Sequence, residues 1–315
     1  MENFQDIFNL STEDFVEKST TKESELYKPN AKDGKDNVYK ALIRFVPWYK
    51  DPRKSKIKKY SYWLEDPLTG DGFSVDCPST VNQKSVIQDT FWKLKKSQSV
   101  AEQKLSEKFK RRENYYALIQ IIKDEHRPEL VGKIKVLKFG QKLNAIIQSE
   151  LQPEYGTPYN PFDPLNGRPM ALTVTISGGF NNYDQSKFVG DKGFPALLNG
   201  KPIENSKESM QAFFEFLKTN SPDLGNYDFK EWDEELRAKV KSVIENTVPS
   251  MRTAEYVAKT STASGGSKAQ SQEIDLSDFD EKPSGKGKSE EVDLNFDDFE
   301  KESSGSLDDD IYAGL

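Results

Sequence analysis

The chain has 315 residues, of which 35% are apolar and 31% charged, a balance too polar for one core to extend over the whole length. Its one cysteine, Cys77, and one histidine, His126, exclude a disulfide framework and a conventional four-ligand zinc site, so no cofactor is expected. The net charge of -7 argues against a polyanion partner only if it is evenly spread, and it is not: residues 38–193 carry 26 basic and 17 acidic side chains, whereas residues 273–315 carry 4 and 15.

Residues 1–37, with 5 basic and 9 acidic side chains, are predicted to form an N-terminal arm. Phe4, Ile7, Phe8 and Phe15 suit apolar docking on a neighbouring protomer, and equally suit an unanchored segment. Met1 to Leu10 lacks a basic stretch followed by an apolar one, and no apolar run reaches the ~18 residues of a membrane span. A cytoplasmic protein with no membrane partner is expected.

Residues 38–257 are predicted to be the ordered core, mainly β with added helices. Tyr39 to Val46, Tyr115 to Lys123, Lys133 to Phe139 and Met170 to Ser177 are rich in β-branched or aromatic residues, mostly with period two, and predict strands. Val86, Ile87, Phe91 and Leu94 recur at helical spacing inside an insert over about 83–110. Leu143, Ile146 and Ile147 do the same, as do Phe229, Trp232, Leu236, Val240 and Val243 within a helical part at about 204–247. Asp228, with Glu231 three residues on, is predicted to cap the last helix. Pro153 to Gly167 reads as a long loop. Short strands with intervening helices favour a small, partly open barrel of the OB-fold type over regular βαβ units.

Beyond residue 257 the composition changes to Thr, Ser, Gly, Ala and Lys and then to acidic residues, predicting a flexible linker and a disordered acidic tail over 258–315. Within it Glu273-Ile274-Asp275-Leu276 recurs as Glu291-Val292-Asp293-Leu294, followed by Phe279 or by Phe296 and Phe299. Asp308, Asp309, Asp310 and Ile311 make a terminal variant, and these acidic–apolar motifs are candidate hooks for partner proteins.

No enzyme signature holds. Gly287-Lys288-Ser289 ends like a phosphate-binding loop, but Lys282 occupies the place of its first glycine. The tail carboxylates have no rigid scaffold to tune them, and His126 sits in a polar turn where a solvated role is expected. The informative feature is the interleaving of rings with cations. Tyr39 to Tyr116 holds 13 aromatics in 78 residues, among them Lys58-Lys59-Tyr60-Ser61-Tyr62-Trp63 and Lys110-Arg111-Arg112 followed by Tyr115-Tyr116. A single strand of nucleic acid requires both: cations against its phosphates, and rings that stack on unpaired bases for about 1–3 kcal/mol each. Phe45, Phe91 and Phe109, on apolar periodicities, are assigned to the core, whereas Tyr60, Tyr62, Trp63, Tyr115 and Tyr116 are read as half-exposed. Lys133 and Lys135, alternating with Ile134 and Val136, predict a wet, positive sheet face.

Several of these stretches, in the same order and at nearly the same spacing, resemble the single-stranded DNA-binding (helix-destabilising) proteins of T-even-type bacteriophages. The matching pieces are Ala41 to Pro47, Lys110 to Arg112 with Tyr115 to Ala117, Gly132-Lys133 through Phe139 to Lys142, and Ser177 to Phe188. The resemblance implies an OB-fold core that coats single strands cooperatively by self-association. It also implies a removable acidic tail that recruits phage replication and recombination proteins, all in the cytoplasm of the bacterial host. By position it implies that Tyr115, Tyr116, Phe180 and Tyr183 line the DNA groove, and Lys110, Arg111, Arg112, Lys138 and Lys142 fall at or beside the family's basic positions. With Lys58, Lys59, Tyr60, Trp63, Lys133, Lys135 and Lys187, these make up the candidate DNA-binding set. Two departures stand out. Only Cys77 matches a ligand of the family's zinc site, so no metal is expected here, and the insert over 83–110 is the expected substitute. The arm is acidic, with only Lys18-Ser19-Thr20-Thr21-Lys22 resembling the family's basic docking motif. The expected function is a sequence-tolerant, non-catalytic coat for single-stranded DNA in phage replication, recombination and repair. A scaffold acting through its acidic tail and a single-stranded RNA chaperone are the alternatives.

Overall fold

The computed structural model describes residues 24–251 with the exception of Asp191. The arm residues Phe4, Ile7, Phe8, Phe15 and Lys18 to Lys22, and the tail motifs from Asp275 to Ile311, lie outside the described residues.

A mixed, nine-stranded sheet carries the fold: β1 (Leu26–Tyr27), β2 (Tyr39–Phe45), β3 (Lys56–Glu65), β4 (Gly72–Asp76), β5 (Arg112–Asp124), β6 (Ile134–Phe139), β7 (Met170–Ser177), β8 (Phe180–Asn182) and β9 (Lys187–Phe188). The path runs β1-β6-β5-β2-β7-β8, with β3 pairing β5 and β4, and β9 pairing β7. Only β1 and β6 run parallel among the described pairs. A separate hairpin joins β10 (Leu197–Leu198) to β11 (Lys201–Pro202). Among the described residues five α-helices accompany the sheet: α1 (Val86–Lys95), α2 (Val100–Ser106), α3 (Gln141–Leu151), α4 (Lys207–Asn220) and α5 (Glu234–Thr247). None of them is long and apolar enough to cross a membrane.

Strand β5 organises the molecule because both its faces are covered. Tyr115, Ala117, Ile119 and Ile121 enter one core with Tyr39, Ile43, Phe45, Leu172 and Val174. Tyr116 and Leu118 enter another with Val46, Ile57, Val136 and the α4 residues Phe213 and Leu217. A strand buried on two sides reads as an almost continuous apolar run, as 115–122 does.

Three expectations are corrected. Tyr27 and Ala31, placed in the arm, are core residues, so the folded part begins before residue 38. The insert over 83–110 is two short helices, because Ser85 and Ser99 each cap a new N-terminus by accepting from the backbone N–H of Gln88 and Glu102. The last helix starts at Asp233, whose carboxylate accepts from Leu236 N at 2.7 Å, whereas Asp228 closes the preceding short turn. Trp232 explains the shift: its indole N–H donates to the Asp76 carbonyl at 2.7 Å and holds the chain extended up to the cap.

Candidate nucleic-acid interface

Successive residues of a strand point to opposite faces. In β3 this puts Lys56, Lys58, Tyr60 and Tyr62 on one face and Ile57, Lys59, Ser61 and Trp63 on the other. Register carries the division across the sheet: Lys58 lies opposite Tyr115 and Tyr115 opposite Phe139, while Ile57 lies opposite Tyr116 and Tyr116 opposite Lys138. The candidate residues of β3, β5 and β6, adjacent or nearly so along each strand, are therefore split between two sides of one sheet.

On the first face a track of cations and rings forms. The Arg111 guanidinium lies 3.9 Å from the centre of the Tyr60 ring, and the Lys58 ammonium lies 4.9 Å from it. Arg111 is held there by donating to Ser79 Oγ at 3.0 Å and to Gln88 Oε1 at 3.3 Å, so the insert positions it. Lys58 also pairs with Glu113 at 3.0 Å, which in turn accepts from Tyr115 OH and from Gln141 Nε2. Burial opposes ionisation of Glu113, but these three hydrogen-bond donors outweigh it and hold the carboxyl below its ordinary value. Lys56 stands 5.5 Å over the Tyr115 ring and donates to Asn144 of α3 at 2.7 Å. From the first turn of α3, Lys142 pairs with Asp184 at 2.9 Å, beside Asn182 at the end of β8.

The β7–β8 hairpin turns on Gly178 and Gly179, with φ of 57° and 83°, the left-handed values a two-residue turn of this kind requires. It projects Phe180, which is 78% exposed. Its neighbour Tyr183 instead packs on the core, and burial raises its hydroxyl pKa.

On the second face Tyr116 stacks on Tyr227 with ring centres 5.2 Å apart. Lys59 and Lys138 lie 5.6 and 5.9 Å from the Tyr116 ring centre. Trp63, 49% exposed, lies across Gly72, where any side chain would collide with the indole.

The expectation of half-exposed rings fails for Tyr62, Tyr115 and Tyr116, the last two being 5% and 8% exposed. Tyr115 is stacked on Phe139, and burial, then its bond to Glu113, pushes its hydroxyl pKa up to about 12. The wet, positive face predicted from Lys133 and Lys135 is corrected too. Lys133 is exposed, but Lys135 is buried where β1 closes on β6 and donates to the Ser24 carbonyl at 2.9 Å. Lys59 is likewise buried, and bonds Asp76 at 3.1 Å. Lys110, Arg112, Lys138, Lys142 and Lys187 are exposed. Lys56, Gln141, Glu113 and Tyr227 were absent from the sequence-derived set. The alternation of Lys56, Lys58, Tyr60 and Tyr62 was the available signal for the first.

The metal of the resembled family does not fit. The Cys77 thiol is buried against the hydroxyls of Tyr62 and Ser79, at 3.2 and 2.9 Å, and no group of three His, Cys, Asp or Glu side chains suited to a metal converges among the described residues. His126 is exposed and packs its ring 4.7 Å from that of Tyr39.

Comparison with known proteins places these features. The family described as "gp32 DNA binding protein like" matches residues 37–244, more than half of the chain. The curated single-stranded DNA-binding proteins of Enterobacteria phage T4 and Enterobacteria phage T2 are each 37% identical over 93 residues. That match covers 28% of this chain and 30% of each relative, so the chain aligns with less than a third of their length.

Proposed function

Because the chain belongs to the gp32-like DNA-binding protein family, we propose that it binds single-stranded DNA without sequence choice and performs no catalysis. The observation that carries this reading is the track in which Arg111, Lys58 and Lys56 lie over the rings of Tyr60 and Tyr115. Lys142 and the projecting Phe180 extend it. In the free protein the cations cover the rings. On binding they move to phosphates and bases take their place, exchanging cation–ring contacts of about 0.5–1 kcal/mol for base stacking of about 1–3 kcal/mol. Duplex DNA, with its bases already stacked, offers no such exchange.

The relatives' names and the charge division along the chain support a wider proposal. The protein coats and protects template strands in phage DNA replication, recombination and repair, in the cytoplasm of the bacterial host. It does so through an OB-fold-type sheet and self-association along the strand. The tail, with 15 acidic and 4 basic residues over 273–315, competes with DNA for the cationic track and recruits replication and recombination proteins through Leu276, Phe279, Leu294, Phe296 and Phe299.

Titration of the full-length protein with matched single-stranded DNA, single-stranded RNA and duplex DNA tests the reading. Preference for single-stranded DNA over duplex is expected, with a negative log-log salt dependence of about 0.7 per phosphate neutralised. Equal affinity for duplex overturns it, and preference for RNA reassigns it. Phe180→Ala is expected to lower affinity about fivefold, near 1 kcal/mol, with an unchanged salt slope and unfolding midpoint, because it removes an exposed ring and no charge. A chain ending at Val257 is expected to bind more tightly than the full chain, and unchanged affinity would refute competition by the tail.

A further inference from the structure

Arg111 is the cation of the track that the sheet does not place. It follows the short turn Glu107–Phe109 and precedes β5, whose pairing with β3 begins at Arg112. What fixes its side chain comes from residues 77–88. The turn Pro78–Val81 and the residue before it hold the Tyr60 backbone from both sides: Thr80 Oγ1 accepts from Tyr60 N at 3.0 Å, and Cys77 N donates to the Tyr60 carbonyl at 2.8 Å. Ser79 of the same turn accepts from Arg111 Nη1 at 3.0 Å. Its hydroxyl is held in turn by the buried Cys77 thiol at 2.9 Å, which donates to Tyr62 OH at 3.2 Å.

Gln88 closes the arrangement from α1. Ser85-Val86-Ile87-Gln88 has the spacing of a capping box, in which the residue three beyond the cap reaches back to the cap's own N–H. Ser85 does cap, accepting from Gln88 N at 3.4 Å, and its hydroxyl lies 3.1 Å from Tyr62 OH, on the same face of β3 as Tyr60. The Gln88 side chain departs from the rule, because its Oε1 is turned to Arg111 Nη1 at 3.3 Å. A departure from a local preference is where a functional demand shows. Both acceptors on Arg111 are neutral, whereas Lys58 and Lys142 are tied to the carboxylates of Glu113 and Asp184. Arg111 makes no ion pair among the described residues, so it is held in place with its charge uncancelled.

We propose that Gln88 and Ser79 are positioning residues for single-stranded DNA, acting through Arg111. Their neutral oxygens tether Nη1, so that when a base displaces the guanidinium from the Tyr60 ring the cation stays beside that ring and meets a neighbouring phosphate. The inference rests on the reading of the chain as a single-stranded DNA-binding protein. An untethered arginine gives up its rotamers when the strand binds, and ordering it in the free protein removes that cost. A carboxylate at position 88 would hold the guanidinium as firmly but neutralise it. The amide thus separates placement from charge.

The test is a double-mutant cycle in the full-length protein, read as affinity for an oligothymidylate across a salt series. Gln88→Met keeps the length and helix preference of the side chain but removes its strong acceptor. With Arg111 present it should lower affinity about fivefold, the cost of ordering one long side chain on binding, and leave the salt slope unchanged because no cation is lost. In an Arg111→Ala background the same change should alter affinity by less than about twofold. Gln88→Glu should lower affinity and also make the slope shallower by about 0.7, because it neutralises one cation. Ser79→Ala, which approaches the guanidinium from the turn, should behave as Gln88→Met does, so the result does not depend on the folding of one variant. Equal losses with and without Arg111 would make Gln88 a support for the insert and overturn the proposal. Unchanged affinity in both Gln88→Met and Ser79→Ala, or an unchanged slope in Gln88→Glu, overturns it too. Failure of the parent to bind the oligonucleotide defeats the single-stranded DNA reading itself, whereas a parent that binds with no effect at Gln88 and Ser79 defeats only the positioning role.

Discussion

Replacing Asp124 by alanine is expected to destabilise the protein by about 3–5 kcal/mol, lowering its unfolding midpoint by on the order of 10 °C. The carboxylate is buried at the end of β5 and accepts from Tyr27 OH at 2.7 Å, Tyr39 OH at 2.6 Å, and the backbone N–H groups of His126 and Arg127 at 3.0 and 3.1 Å. Arg127 donates to Tyr39 OH at 2.9 Å and lies 4.6 Å from the Tyr27 ring centre, closing the network. Alanine leaves two hydroxyls and two amides without their acceptor and the Arg127 guanidinium without its carboxylate neighbour at 3.7 Å, and each buried unpaired group costs about 1–3 kcal/mol. Burial alone would raise the Asp124 pKa, but its four donors hold it below the ordinary value. A carboxyl depressed in the folded state stabilises at pH above its unfolded value of about 4, and that contribution is lost as pH falls through the folded value. Thermal melts from pH 7 to pH 2 should therefore show a steeper acid limb in the parent than in Asp124→Asn. Parallel limbs would refute the assignment.

The double change Lys58→Ala, Arg111→Ala should reduce affinity for single-stranded DNA about 25-fold at 0.1 M salt, near 2 kcal/mol, and make the salt slope shallower by about 1.4. Both numbers follow from two lost phosphate contacts, each worth about 0.7 in the slope. Binding competition across a salt series reads both at once. A large loss of affinity with an unchanged slope would mean that Arg111 and Lys58 hold the Tyr60 ring in place instead of meeting phosphates. Stability should change by no more than a modest amount, because Lys58 is half-exposed and the mostly buried Glu113 carboxylate keeps two further donors, Tyr115 OH and Gln141 Nε2.

The interior strands, the two ordered helices of the later core and the resemblance to the DNA-binding family were all legible in the residues. Met170–Ser177 and Ile134–Phe139 appear nearly as their alternation predicts, and α3 covers the Leu143, Ile146 and Ile147 stripe. Strand β3 was less legible: the charges that dominate 56–60 mask its alternation, and only pairing with β4 and β5 shows it as a ten-residue strand.

Composition and charge order determined that a basic, aromatic body precedes an acidic terminal segment, and that no disulfide or ordinary zinc site can form, because these depend only on which residues are present and in what order. Which cations and rings share a surface was decided by tertiary structure. Tyr115 and Tyr116 are neighbours along the chain, yet the strand's period of two sends them into separate cores, and register then gathers Lys56 and Lys58 around one while Lys59 and Lys138 gather around the other. Exposure was decided the same way: α4 and the segment carrying Tyr227, brought in from residues 207–227, cover the Tyr116 side of β5, so a tyrosine beside charges in the sequence becomes a core residue in the fold.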